Sequence, residues 1–184
     1  MTGSASTDRY RSRSLWLDGL KEPLVPRDAL NTNTAVDVAI IGGGFTGLWT
    51  AYSLLISHPE MRVAIIEKEI VGFGASGRNG GWASALFAGS REAMAKTHGV
   101  EGVLRMHQAM IESIADIERT CIDEGIDASF LRGGTLTVSR SPTQDARTIA
   151  SVADDRFWGL GEQHSSLLTK AQCDEMIKVA GTRE

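Results

Sequence analysis

Between residues 36 and 67 short β-branched runs flank one longer apolar stretch, and that order predicts a strand–helix–strand unit. Residues 36–41 read VDVAII and predict a buried parallel strand. Residues 48–56 carry apolar side chains all round, with Ala51 at a close-packing position, and predict a buried helix ending near His58-Pro59. Residues 62–67, RVAIIE, predict a second strand. Together they span the roughly 30 residues that a right-handed βαβ crossover needs.

Beyond this unit the pattern changes period. Residues 91–124 are the longest helical candidate, with breaks expected at Gly99 and Gly102. Val103, Leu104, Met110, Ile111, Ile114, Ile117 and Cys121 fall on one stripe, and Gly125 is the expected stop. Residues 133–139, GGTLTVS, alternate as a strand does, ending at Ser141-Pro142. A short helix is expected over 143–152, a turn at Trp158-Gly159-Leu160-Gly161, and a helix over 169–179 capped by Thr169. Residues 1–34 form a leader: a polar, loose Ser/Arg-rich start, an apolar patch at Ser14–Leu17 pinned against the body of the protein, then Pro23 and Pro26, which disfavour regular structure.

Composition narrows the function classes. Glycine supplies 20 of 184 residues, about 11% against a usual ~7%. The glycines lack a triplet period, and many cluster between Gly42 and Gly81. The net charge of −4 argues against a broad nucleic-acid footprint. Cys121 and Cys173 lie far apart, without metal-ligand spacing, so no metal site is expected and both read as inert thiols. Residues 38–57 are uncharged over a membrane-spanning length, but Gly42-Gly43-Gly44 would break a lone helix in lipid, so no span is expected. No apolar export segment follows the polar start, which makes the cytoplasm the expected location.

The first glycine cluster sits where chemistry can use it. Gly42, Gly44 and Gly47 spell G-x-G-x-x-G, with Phe45 and Thr46 between, after a predicted strand and before a predicted helix. Gly42 permits the sharp turn, Gly44 lets a pyrophosphate approach the backbone, and Gly47 lets the helix pack on the strands. The helix start supplies unpaired N–H groups and a positive dipole end for phosphates. Glu67 ends the second strand, 20 residues beyond Gly47, where a carboxylate can accept from the ribose hydroxyls. It could also simply end a surface strand, paired with Lys68. An acid there disfavours a 2′-phosphate, hence NADP.

The fingerprint alone leaves NAD and FAD open. A second glycine-rich loop, GFGASGRNGG over 72–81, places Ser76, Arg78 and Asn79 among five glycines, including Gly77 and Gly80. An Arg and a hydroxyl on backbone-exposing chain suit a pyrophosphate.

Glu67-Lys68 followed by VGFGASGRNGGW resembles the FAD-binding N-terminal part of the D-amino-acid oxidase-like flavoproteins, the group of sarcosine oxidase, glycine oxidase and γ-glutamylputrescine oxidoreductase. SLWLDGL before the first strand together with GASGRNGG after the second gives the flavour of the γ-glutamylputrescine oxidoreductase-like branch. The resemblance covers roughly residues 15–138. It implies an α/β chain: a Rossmann-like FAD-binding βαβ domain over 35–130, after the leader, then the beginning of an α+β substrate domain over 131–184. It implies cofactor contacts at Gly42, Gly44, Gly47, Glu67, Ser76, Arg78 and Asn79, with Phe45, Thr46, Lys68, Gly77 and Gly80 in the same two motifs.

Sarcosine oxidase-like members carry a covalently flavinylated His in the second loop. No His occurs in 72–81, so non-covalent FAD is implied. The implied reaction oxidises a CH–NH bond of a small-molecule amine or amino acid by hydride transfer to flavin. No catalytic side chain is assigned. The four histidines lack metal-ligand spacing, Asp154-Asp155 read as solvated carboxylates, and Trp82 could wall the flavin or pack in the core. Family members are much longer, so the chain reads as an N-terminal part of such an enzyme. The competing readings are an NAD-linked dehydrogenase and a truncated nucleotide-binding fragment without activity. Substrate, electron acceptor and oligomeric state are not encoded legibly.

Overall fold

The computed structural model describes residues 9–181, and the opening eight residues of the leader lie outside them. The chain divides into two compact units, the first ending at Trp82 and the second starting at Ala83.

The first unit holds α1 (Leu15–Gly19), β1 (Val38–Ile41), α2 (Phe45–Ser57), β2 (Val63–Ile66) and a single 3₁₀ turn at Ala75–Gly77. β1 and β2 pair in parallel, from Val38 opposite Val63 to Ile41 opposite Ile66. The expected βαβ unit is therefore present, with each strand shorter than the apolar run that predicted it. Asp37 fixes the register at the open end. Its carboxylate accepts from Arg62 N at 2.9 Å, Nε at 3.1 Å and Nη2 at 2.9 Å. Those bonds, the side-chain ones foremost, hold the Asp37 carboxyl down at about 2. At the other end Gly42 N–H donates to Ile66 O at 2.8 Å, extending the ladder by one residue.

α2 starts at Phe45, three residues earlier than the apolar run suggests, because Gly44 already serves as its N-cap. Its buried positions are the small ones, Gly47 and Ala51, spaced i and i+4 on one face. A Cβ on Gly47 would lie 2.1 Å from Gly42 O and 3.2 Å from Ile40 Cγ2. The helix therefore lies against the strand end at a distance that only glycine permits. The strand and helix are less buried than their composition suggests: Ile41 is 80% exposed and Ile56 64%. A two-stranded sheet with one crossover helix covers too little of either face to bury such side chains.

The leader is better ordered than its polar start implies. Tyr10, Leu17, Leu24 and Ile70 form a buried cluster, with Phe73 packed against it. Tyr10 meets Phe73 edge to face, centroids 5.8 Å apart, and its hydroxyl donates to Glu69 Oε2 at 3.0 Å. The expected pinning of residues 14–17 is present, and Tyr10 is buried with Leu17 among them.

The second unit contains α3 (Arg91–Asp123), α4 (Pro142–Phe157) and α5 (Lys170–Met176). α3 kinks at Gly99, with φ 71° and ψ 165°, while Gly102 stays helical. Gly125, with φ 62°, ends it as expected, and Ile126 N–H returns to Cys121 O at 2.8 Å. α4 is capped by Ser141 with Pro142 in its first turn, and runs five residues past the expected end. Thr169 and Gln172 form a reciprocal capping box on α5.

The expected strand at 133–139 does not form; residues 126–140 carry no regular structure. Alternation describes a strand that has a neighbour, and the sheet of the described residues consists of β1 and β2 alone. Asp154 and Asp155 also depart from the expected solvated pair. Arg91 Nη1 bridges them at 3.0 and 2.7 Å, and Trp158 Nε1–H donates to Asp154 Oδ1 at 3.1 Å.

Gly47→Ala should destabilise the first unit by about 3 kcal/mol, because a backbone carbonyl, unlike a side-chain tip, has little room to retreat. Gly19→Ala, with nothing within 4 Å of the added methyl, should be neutral or slightly stabilising. Denaturant midpoints of the two variants check this; equal midpoints would refute the close approach.

Candidate functional site

The G-x-G-x-x-G turn leaves β1 at Gly42, whose φ of 101° is open to glycine and strained for other residues. Gly43 N–H then donates to Glu67 Oε2 at 2.7 Å. Glu67 Oε1 accepts from Glu69 N–H at 3.0 Å. The carboxylate thus ties the end of β2 to the first turn. The Gly43 bond, followed by that from Glu69, holds its pKa below the ordinary glutamate range. The alternative pairing with Lys68 is not made: Lys68 is exposed, and among the described residues no ion pair joins the two.

The second glycine loop lies alongside the first. Gly72 N–H donates to Gly43 O at 3.0 Å. Ser76 Oγ accepts from Phe45 N–H at 2.9 Å, so a hydroxyl from one loop occupies the first helical N–H of the other. A Cβ on Gly44 would lie 2.9 Å from that same hydroxyl. Gly44 is thus required by Ser76 as well as by any phosphate approaching the backbone. Thr46 and Gly47 supply the next two N–H groups, which a helix start leaves without intrahelical partners.

Within the second loop each side chain has a local task. Arg78 Nε–H donates to Gly74 O at 3.2 Å, and its guanidinium lies 5.5 Å from the Phe73 ring centroid. Asn79 Nδ2 donates to Ser76 O at 2.5 Å, and its Oδ1 accepts from Gly81 N–H at 2.7 Å. A Cβ on Gly77 would meet Gly72 O at 2.1 Å, whereas one on Gly80 would meet nothing within 4 Å. The fold therefore brings Gly42, Gly44, Phe45, Thr46, Gly47, Glu67, Ser76 and Gly77 to one junction. Arg78, Asn79 and Gly80 continue the loop, and Lys68 stays outside on the surface. Trp82, the last residue of the first unit, is 71% exposed.

Sequence reasoning missed three features. One is the Ser76–Phe45 bond, for which the sequence offers only a hydroxyl among glycines. Another is the leader's contact with the second loop: Ser14 Oγ donates to Gly77 O, and Trp16 Nε1–H to Asn79 O at 2.8 Å. The third is His107 in the second unit, 7% exposed, with Nδ1 unpartnered among the described residues. Burial pushes its pKa down, Arg91 adds to that, and Asp155 opposes it. With Trp158 and His164 it lines a cleft of about 350 Å³. Among the described residues no group of His, Cys, Asp or Glu is arranged to hold a metal ion. No helix there is long and apolar enough to cross a membrane.

The depressed pKa of Glu67 has a signed consequence. Its stabilisation is fully present above the unfolded glutamate pKa of about 4.3 and is lost as pH falls through the lower folded value. Glu67→Gln should remove that part of the acid limb and cost about 1–2 kcal/mol at neutral pH, through weaker acceptance from Gly43 and Glu69. Stability measured from pH 7 to 3 in both proteins checks it; parallel acid limbs would count against the bonds.

Comparison with known proteins gives the family. The profile of the DAO family, described as FAD dependent oxidoreductase, matches residues 37–183. Gamma-glutamylputrescine oxidoreductase of Escherichia coli K12 is 32% identical over 109 residues, 59% of this chain and 25% of that protein. The probable oxidoreductase OrdL of Haemophilus influenzae is 31% identical over 142 residues, 77% of this chain and 32% of its own length. Human mitochondrial L-2-hydroxyglutarate dehydrogenase is 33% identical over 51 residues, 28% of this chain and 11% of that protein. No solved structure gives a significant match. The chain thus spans about a quarter to a third of the first two relatives. It belongs to the DAO family of FAD-dependent oxidoreductases.

Proposed function

We propose that the paired glycine loops hold FAD non-covalently, and that the protein oxidises a CH–NH bond of an amine or amino acid. The observation that carries the cofactor reading is the junction at Ser76. One hydroxyl binds the first N–H of α2 and abuts Gly44, so two glycine-rich loops meet at a helix start. Such a junction concentrates backbone N–H groups and a positive dipole end where a pyrophosphate needs them. Arg78 on the second loop supplies a formal charge for the same group. Glu67 serves the ribose. Its oxygens accept from the backbone N–H groups of Gly43 and Glu69, with a weaker contribution from that of Lys68, and a carboxylate has about four acceptor sites, so capacity for sugar hydroxyls remains.

FAD, when bound, supplies the hydride acceptor. This chain's residues orient it and fix its adenosine end. The reading extends to domains: residues 35–130 form the FAD-binding portion and 131–184 begin the substrate domain, with the boundary between compact units inside the former. Non-covalent attachment is supported by the lack of His in 72–81. The amine substrate class is supported by the name of the Escherichia coli relative.

Gly44→Val should lower FAD affinity on the order of 100-fold, because its side chain displaces both Ser76 and the approaching phosphate. Ser76→Ala should weaken it only about fivefold, by removing one neutral hydrogen bond. Acid precipitation of the full-length holoprotein should release all flavin into solution. Retention of FAD by a folded Gly44→Val protein would remove the site. Anaerobic mixing with amines, amino acids and 2-hydroxy acids tests the substrate class. Flavin bleaching by 2-hydroxy acids alone would replace the CH–NH reading with a CH–OH one.

A further inference from the structure

A loop with glycine at 72, 74, 77, 80 and 81 is costly to order, since each glycine gives up more backbone freedom than any other residue. The 3₁₀ turn at Ala75–Gly77 is its sole regular element. Its carbonyls at Gly77 and Asn79 nevertheless have partners, and both belong to the leader. Ser14 Oγ donates to the first and Trp16 Nε1–H to the second, at 2.8 Å. Two donors spaced i, i+2 gripping two acceptors spaced i, i+2 fix the orientation of the loop as well as its position. The Trp16 ring fills the space beside Gly81, where an added Cβ would lie 2.7 Å from Cζ2. Gly81 has φ 72°, so this is a second reason for glycine there.

The leader segment depends on the same contacts. α1 has five residues, too few to persist alone in water. Ser14 caps it by accepting from Trp16 N–H at 3.2 Å while donating to the loop. Arg11 binds the carbonyls of Leu17 and Asp18 at the other end. Leu17 is buried in the cluster with Tyr10, Leu24 and Ile70, and Phe73, which belongs to the second loop, packs on that cluster. Arg9 joins Glu69 at 2.7 Å, four residues before Phe73. Ordering the leader and ordering the loop are therefore one event, shared through Ser14, Trp16 and Phe73.

From this geometry we infer that residues 10–20 are a clamp that preorganises the second glycine loop for FAD, and that Trp16 is its positioning residue. The inference rests on the proposed FAD site for its ligand and on the leader contacts for its mechanism, and the two can be separated. In the full-length apoprotein, Trp16→Ala should speed amide hydrogen exchange across residues 72–81 by at least about tenfold, leaving β1 and β2 protected. Its FAD dissociation constant should rise about tenfold, because binding must then order the loop. Trp16→Phe keeps the ring and loses the N–H, so it should fall between wild type and alanine in both readouts. It also serves where the alanine variant folds poorly.

Unchanged loop exchange in a folded Trp16→Ala or Trp16→Phe protein overturns the clamp. Faster exchange with unchanged FAD affinity, in a background where Gly44→Val loses FAD, also overturns it and leaves the site reading standing. Retention of FAD by Gly44→Val overturns the site reading and this inference with it.

Discussion

The junction of the two glycine loops depends on how closely α2 approaches the end of β1. Gly47 lies so near the Gly42 carbonyl that an added Cβ would be 2.1 Å away. That approach turns the chain within a few residues from a strand pointing at the site to a helix whose N–H groups start there. Any side chain at Gly47 would push the helix off. Thr46 and Gly47 would move with it, and Phe45 would leave the Ser76 hydroxyl it now meets at 2.9 Å. The anion-binding capacity of a helix start is generic. Its placement here, beside a second glycine loop, is a packing result.

On the proposed FAD reading, Glu67 supports structure and a ligand together. Its two backbone bonds hold the first turn to the end of β2 and keep it ionised. An ionised carboxylate has acceptor capacity left over, which a ribose diol can use without the structural bonds breaking. An exposed glutamate paired with Lys68 would lack this preorganisation, since a surface ion pair contributes about 0–1 kcal/mol and fixes no geometry.

What could be read from the sequence follows the range of the interaction that determines it. β1, α2 and β2 rest on local apolar runs and on glycines whose spacing states their use, and all three form. Gly99 and Gly125 act through their own backbone dihedrals, so a kink and a stop were legible at single residues. Residues 133–139 failed because a strand is defined by a partner, which an alternating pattern cannot supply. The solvated reading of Asp154-Asp155 failed for a related reason: Arg91 lies more than 60 residues away and nothing local announces it. In the leader, the apolar patch at Ser14–Leu17 signalled a contact with the body of the protein, but not its partner, since the acceptor of Ser14 lies 63 residues on, at Gly77.

That last contact explains how so glycine-rich a loop can have one conformation. The freedom that lets 72–81 bring backbone near a ligand also favours disorder. Hydrogen bonds inside the loop, such as Asn79 to Ser76 and Gly81 to Asn79, set local shape but cannot place the loop against Gly44. Placement needs contacts from outside, and they come from two directions. The first glycine turn contributes Gly43 O and Phe45 N–H, which face the proposed cofactor junction itself. The leader contributes Ser14, Trp16 and the Tyr10–Phe73 edge-to-face contact, none of which uses the Phe45, Thr46 or Gly47 N–H groups. A loop held by the turn alone would have to give up its own anchors to admit a phosphate. The leader holds residues 77–81 through contacts that a ligand at the proposed Ser76 junction would leave in place.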